Sequence, residues 1–231
     1  MCGRYVSVST PEQLAEEFGA DTVATGDQGR RFNVAPTLDV YALIERDDTR
    51  RLGTMRWGFV PHWSKTLKGR APINARIETV ATNGMFARSF ERRRCILPAD
   101  GFYEWQERPG SDRKQPWYIH DPDDRPLAFA GIWTVWRDPA VEDAEPVFST
   151  AIVTTEAKGE MVQLHDRMPV ILPRTLHGDW LTATDDQAPH LLRAIEAMPV
   201  PALRAHTVST RVNNVRNDAS DLVDEAAPLE S

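Results

Sequence analysis

The chain has 231 residues, 41% of them hydrophobic, which suffices for one sizeable core and predicts a single domain. No basic, apolar and cleavable segment opens it, and no apolar run approaches the roughly 20 residues that span a bilayer, so a soluble, cytoplasmic protein without a membrane partner is expected. Two cysteines, Cys2 and Cys95, rule out a disulfide framework or a cysteine-based zinc site. The net charge of -7 argues against a uniformly nucleic-acid-binding surface.

Seventeen prolines and thirteen glycines spread along the chain favour short elements joined by turns, hence a β-rich fold. Thr10-Pro11-Glu12-Gln13 fits a capping box with Pro at the first helical position, and Gly19 can close a helix over 11–18. Strands are expected at 38–45 and 51–58, as a hairpin about Arg46-Asp47-Asp48-Thr49. Further strands follow at 94–97, 101–106, 116–120, 127–136, 147–154, 168–172 and 205–211. Helices are expected at 156–164, 173–182 and 188–198. The acidic stretch Asp138 to Glu145 reads as an exposed excursion, and residues 223–231 as a disordered acidic tail after a domain spanning 1–222.

Charge is unevenly placed. Lys65, Lys68, Arg70, Arg76, Arg88, Arg92, Arg93 and Arg94 face only Glu78 and Glu91 in their stretch, so an acidic protein with one basic face is a possible reading beside an ordinary solvated charge run. Trp57, Phe59 and Trp63, interleaved with Arg56, His62 and Lys65, have the composition of a base-stacking surface, although aromatic residues more often belong to a core.

Cys2 is the unusual position. Loss of Met1 would expose a thiol and an α-amine on the same residue. The amine can form an imine with an aldehyde, and the thiol can close on the imine carbon to give a thiazolidine. Position alone also fits a plain first-strand residue with Met1 retained. Glu104, within Gly101-Phe102-Tyr103-Glu104-Trp105, would suit acid/base work if desolvated, although a lone strand Glu more often faces solvent. His165, beside Asp166 and Arg167, could shuttle protons while Arg167 meets a phosphate, or be a structural histidine. Asn74 and Arg76 offer an orienting amide and a backbone contact, or an ordinary loop before a helix cap. Cys95 reads as a small buried hydrophobe. Neither a metal nor a nucleotide cofactor is expected.

Met1-Cys2-Gly3-Arg4-Tyr5, Asn33-Val34-Ala35-Pro36, Arg56-Trp57-Gly58, Asn74-Ala75-Arg76-Ile77-Glu78-Thr79, Gly101-Phe102-Tyr103-Glu104-Trp105 and His165-Asp166-Arg167-Met168-Pro169 together closely resemble the SRAP family of abasic-site processing proteins. The likeness extends to Val208-Ser209-Thr210 and Asn214-Val215-Arg216-Asn217 and so covers nearly the whole chain. It implies a single α+β domain on a barrel-like, mainly antiparallel sheet with short flanking helices. It further implies autoproteolytic loss of Met1 and a covalent Cys2 crosslink to abasic sites in single-stranded DNA during a DNA-damage response, with a possible minor lyase activity. Carried over by motif, Asn74, Glu104 and His165 accompany Cys2 as catalytic residues, and Arg4, Arg76 and Arg167 become DNA-backbone contacts beside the candidate stacking residues Trp57 and Trp63. A monomer with no cofactor, nucleoid-associated when bound to DNA, is the expectation. The competing readings are an N-terminal-nucleophile peptidase or amidohydrolase acting in trans, and a noncatalytic nucleic-acid-binding module.

Overall fold

A computed structural model describes residues 2–69, 71–199 and 201–230. In chain order its strands are β1 (Tyr5–Ser7), β2 (Thr22–Val23), β3 (Arg31–Val34), β4 (Asp39–Arg46), β5 (Thr49–Trp57), β6 (Asn74–Arg76), β7 (Arg94–Ala99), β8 (Gly101–Arg108), β9 (Ser111–His120), β10 (Leu127–Trp136), β11 (Val147–Glu156), β12 (Arg167–Pro169) and β13 (Arg204–Thr207). Its α-helices are α1 (Pro11–Phe18), α2 (Ile77–Val80), α3 (Ala87–Arg92), α4 (His177–Thr182) and α5 (Ala188–Glu196). Helix α1 has the expected bounds, with the reciprocal Thr10–Gln13 capping box in place and Gly19 left-handed at its end. The helix expected over 156–164 shrinks to a 3-10 turn at Gly159–Gln163, and none of the described helices is long and apolar enough to cross a membrane.

One sheet runs β12-β11-β10-β7-β4-β5-β2, and β11 also pairs with β5 in parallel through Ser149↔Arg56 and Thr150↔Trp57. Five strands, β11, β10, β7, β4 and β5, therefore close into a ring, the barrel-like sheet the sequence resemblance implied. Beyond β5, the same edge of β11 takes β6 in parallel, Ile152↔Asn74 to Thr154↔Arg76. The second sheet runs β13-β9-β8-β1-β3 and is antiparallel.

Side-chain alternation decides what each face covers. Leu43, Ile96, Ala130 and Ile132 pack with Leu14, Phe18, Phe90, Trp180 and Leu191 of the helices. Their neighbours Ala42, Cys95, Leu97 and Phe129 pack with Tyr5, Phe102 and Ile119 of the second sheet. A strand covered on both faces reads as a continuous apolar run, which is why 127–136 is legible in the sequence. The outer face of the second sheet carries Val6, Tyr103 and Tyr118 against Val208, Val212 and Leu222.

The segment after residue 222, expected as an acidic tail, runs beside that last cluster. Leu222 is fully buried, Ala226 donates its amide to the Thr207 carbonyl (2.8 Å), and Leu229 donates to Gln115 Oε1 (2.7 Å). The backbone bridges to Thr207 and Val208 while the carboxylates of Asp224, Glu225 and Glu230 are exposed. The excursion at 138–145 is exposed turn structure.

Gly101 marks a close approach. A Cβ there would lie 2.4 Å from the Tyr118 hydroxyl, which donates to the Asp100 carbonyl. Gly101→Ala is expected to lose about 1–3 kcal/mol of stability, read as a lower urea midpoint at unchanged slope.

Candidate active site and nucleic-acid groove

Cys2 precedes β1, whose register with β8 is Tyr5↔Phe102 and Val6↔Gly101, and Tyr103 donates its amide to the Arg4 carbonyl (3.0 Å). Continuing that register sets Glu104 opposite Gly3, next to Cys2. Glu104 is in step with Phe102 along β8, so it points between the two sheets, whereas Tyr103 and Trp105 belong to the other face. This phase, not the residue type, buries the carboxyl to 1% exposure. Burial pushes Glu104 up to about 7, against the opposing hydrogen bond from the Trp105 backbone.

Cys2 itself is fully buried. Burial raises its thiol far above the usual range, and the neighbouring Glu104 charge raises it further, while the Arg4 amide pulls the other way. The sulfur is therefore a thiol, not a thiolate, in this state. Asn74, held on β6 against β11, donates from Nδ2 to the Cys2 carbonyl at 3.0 Å. Its Oδ1 is buried and has no hydrogen-bond partner among the described residues.

His165 follows the 3-10 turn, its amide donating to the Met161 carbonyl (3.0 Å). Its Nδ1 lies 2.9 Å from the Arg167 amide and 2.6 Å from Asp166 Oδ1. One protonation state cannot satisfy both, because the amide needs a lone pair on Nδ1 and the carboxylate needs a proton. Partial burial lowers the His165 pKa, with Lys114 adding to that and the exposed Asp166 opposing it. The neutral ring is the state favoured at neutral pH.

Two open cavities flank the Trp105–Lys114 rim. One, of about 680 Å³, is lined by Gly3, Arg4, Trp105, Arg113, Lys114 and Asn213 among others. The other, of about 710 Å³, is lined by Arg76, Trp105, Lys114, Val162 and His165 among others. Sharing Trp105 and Lys114, they make a trough of mixed charge past the Cys2 end of β1, with Arg4, Arg113, Arg76 and Arg167 set against Asp112, Asp166 and Glu107, the last paired with Lys114 at 2.9 Å. Trp105, Arg113 and Lys114 were missed by the sequence reading. Their signal was Pro109-Gly110, a turn with Gly110 at φ 77° that folds β8 onto β9 and brings both flanks to one lip.

The nine sequence-derived residues divide accordingly. Cys2, Asn74 and Glu104 come together, and His165 and Arg76 line the trough. Arg4 reaches it too, but Nη1 already donates to Asn33 Oδ1 (2.8 Å) and the Val212 carbonyl (2.9 Å), with the guanidinium 5.7 Å from the Trp105 ring centre. Trp63 is 61% exposed. Trp57 corrects the stacking-surface reading. It is fully buried, donates Nε1 to the Ile73 carbonyl (3.0 Å) and packs 5.3 Å from Tyr5. Phe59 is likewise core. Trp57→Ala should therefore cost about 3–5 kcal/mol of stability, against about 0.5 or less for Trp63→Ala, as paired urea titrations would show.

Arg167 lines the same cavity as His165. It is 8% exposed and forms a bidentate pair with Glu78, Nη1–Oε1 2.7 Å and Nη2–Oε2 2.9 Å. The basic stretch divides in the same way. Arg94 is buried on backbone carbonyls, Arg93 lies over Trp133, and Arg92 meets Asp185 at 3.5 Å. Arg70 lies outside the described residues. Among the described residues no three His, Cys, Asp or Glu side chains group as a metal site would require.

The family model of SOS response associated peptidases (SRAP) matches residues 1–215. The chain is 34% identical to the abasic site processing protein YoaM of Bacillus subtilis, over 97% of this chain and 98% of that one. It is 32% identical to the abasic site processing protein YedK of Escherichia coli, over 96% and 99%. With the abasic site processing protein HMCES of Xenopus tropicalis it shares 31% identity, over 96% of this chain and 77% of that protein. Among solved structures, a Bacteroides thetaiotaomicron protein superposes with a TM-score of 0.80 at 20% identity, covering 98% of this chain and 100% of that one, a likeness of fold. A phage-related protein of Bordetella bronchiseptica gives 0.70 at 33% identity, covering 90% and 94%.

Proposed function

Because the chain belongs to the SOS response associated peptidase family, we propose that it processes abasic sites in single-stranded DNA, capturing the ring-opened aldehyde covalently on Cys2. The observation that carries this reading is the pairing of a buried Cys2 with a carboxyl held at about 7, beside a trough that offers an indole and cations. Relatives named for abasic-site processing over almost their whole length support it.

The reaction needs Met1 gone, and Met1 lies outside the described residues. Hydrolysis of the Met1–Cys2 bond, carried out by the protein on itself, consumes one water and frees the Cys2 amine. The amine attacks the aldehyde carbon, and the carbinolamine leaves water to form an imine. The thiol then adds across the C=N bond, sulfur to carbon and its proton to nitrogen, closing the thiazolidine. Glu104 near neutrality can both give the proton that expels water and take it back. Asn74 fixes the Cys2 backbone, and neutral His165 relays protons at the trough side. The imine stage also permits β-elimination, a minor lyase route that ring closure cuts off. Exposed Trp63 and the Trp105 indole suit stacking on unpaired bases, with Arg4, Arg76, Arg113 and Lys114 toward phosphates. All four reacting groups come from one chain, so a monomer suffices, working in the cytoplasm at the nucleoid.

The test mixes protein, its N-terminal residue checked by intact mass, with single-stranded DNA bearing one abasic site, beside Cys2→Ala. A band surviving a denaturing gel only for the unmutated protein is expected. No adduct despite confirmed loss of Met1 would overturn the reading and favour an amidohydrolase acting in trans.

A further inference from the structure

The cavity of about 680 Å³ lies between the β8–β9 hairpin, which contributes Trp105, Arg113 and Lys114, and the 3-10 helix Thr210–Asn213. The hairpin ladder breaks where the cations stand. Gln106 pairs with Gln115 and Arg108 with Ser111, so Asp112, Arg113 and Lys114 together oppose Glu107 alone, a bulge. The Arg113 amide accordingly donates to the Ser111 hydroxyl (3.2 Å) and not across the hairpin, and the Lys114–Glu107 ion pair over the bulge is exposed and therefore weak. Residues 226–230 bond to both flanks of this break. The Leu229 amide donates to Oε1 of the buried Gln115 (2.7 Å), next after Lys114, and the Leu229 and Glu230 carbonyls accept from Arg108 Nη2, the former at 3.0 Å. Toward the other wall, Ala226 exchanges bonds with Thr207, its amide donating to the carbonyl (2.8 Å) and its carbonyl accepting from the hydroxyl (2.5 Å), while Gln115 Nε2 reaches the Val208 carbonyl at 3.5 Å. The segment lies beyond residues 1–215, the part that matches the family model.

Resting on the reading above, we propose that residues 226–230 are a positioning strap for DNA binding: their backbone locks the bulge that presents Arg113 and Lys114 and fixes it relative to the Thr210–Asn213 wall. All the strap's bonds are made by main-chain atoms, and the Glu225 and Glu230 side chains are exposed. None of these bonds reaches Cys2, Asn74, Glu104 or His165, so the strap acts on the grip on phosphates and not on capture itself. Without it the bulge keeps only the exposed Lys114–Glu107 pair and the local Ser111 turn. Two cations on long side chains must then be ordered by the DNA as it binds, and that ordering is subtracted from affinity.

The test compares the full chain with one ending at Pro228. Leu229→Pro, which deletes the amide that Gln115 accepts, provides the second variant should the shortened chain melt at the working temperature. Affinity for undamaged single-stranded DNA should fall about tenfold in either, with the slope of log affinity against log salt smaller by roughly 1.4, the loss of two phosphate contacts. The half-saturating concentration of abasic DNA should rise likewise, while the rate of adduct formation at saturation stays within twofold. Backbone 15N order parameters at Asp112, Arg113 and Lys114 should drop from a rigid value of about 0.85 to below about 0.6. Adding the truncation to Arg113→Ala and Lys114→Ala should weaken binding no further than those two substitutions do, because strap and lip act as one unit. Unchanged affinity, unchanged order parameters, losses that multiply, or a rate that falls at saturation overturns the proposal. If the unmutated protein forms no adduct, the capture reading fails, and the affinity for undamaged DNA together with the order parameters decides the strap on its own.

Discussion

A Glu104→Gln variant should capture abasic DNA about 10²–10⁴ times more slowly than the parent while being the more stable protein above pH 7. The two effects share one cause. Burial lifts this carboxyl from its ordinary 4.5 to about 7, so the folded state holds the proton more tightly than the unfolded chain. Stability contributed by the protonated carboxyl is complete below about 4.5, falls as pH rises from there to about 7, and is absent above. At 1.36 kcal/mol per unit, the ionised group costs the fold about 3 kcal/mol at pH 8. Glutamine keeps the shape and removes the charge. Single-turnover gels and urea midpoints at pH 5 and pH 8 check both halves: the variant's stability advantage should appear only at pH 8, and an advantage equal at both would contradict the assignment.

Arg94→Met should be the most damaging change outside the site. Arg94 donates to the Trp180 carbonyl at 2.5 Å and the Glu91 carbonyl at 2.9 Å, and more closely still to Phe90 and Ala183. All four carbonyls belong to the ends of α3 and α4, which have no intrahelical donor left for them. The side chain also lies over the Phe90 ring, 5.8 Å from its centre. Burial lowers its pKa only to about 10, so it remains a cation at neutral pH. Removing the donors strands several buried acceptors at about 1–3 kcal/mol each, so a total loss of about 3 kcal/mol or more is expected. For a chain of this size that is a fall in Tm of roughly 6–12 °C. Differential scanning calorimetry reads it, and adduct yield per folded molecule at low temperature should be unchanged.

What the sequence disclosed depended on how local the cause was. Helix α1 was legible because its capping box and Gly19 are all within one short segment. Strand β10 was legible because burial on both faces makes an unbroken apolar run. The ring closure was not, since β11 finds β5 and β6 some 70 to 90 residues upstream and nothing local marks that partnership. Glu104 could be recognised as a candidate from its aromatic neighbours, yet its burial follows from its phase with Phe102 and from the sheet covering that face. Trp57 and Trp63 look alike in composition, six residues apart. One closes the end of β5 against Tyr5 and the other stands in an open loop, a difference set by tertiary packing alone. The lip residues Arg113 and Lys114 were passed over because a charged stretch reads as loop, although it is half of a continuous hairpin.

The network around Arg4 has a consequence for synthesis. Arg4 and Asn33 are held by the carbonyls of Val212, Asn214 and Asn217, groups made about 180 to 210 residues later. At about 5–20 residues per second a ribosome needs on the order of ten to forty seconds to supply them. Until then the first strand lacks the outer support that these carbonyls give it. The strand that carries Cys2 thus gains its full outer support only after residues 212–217 have been translated.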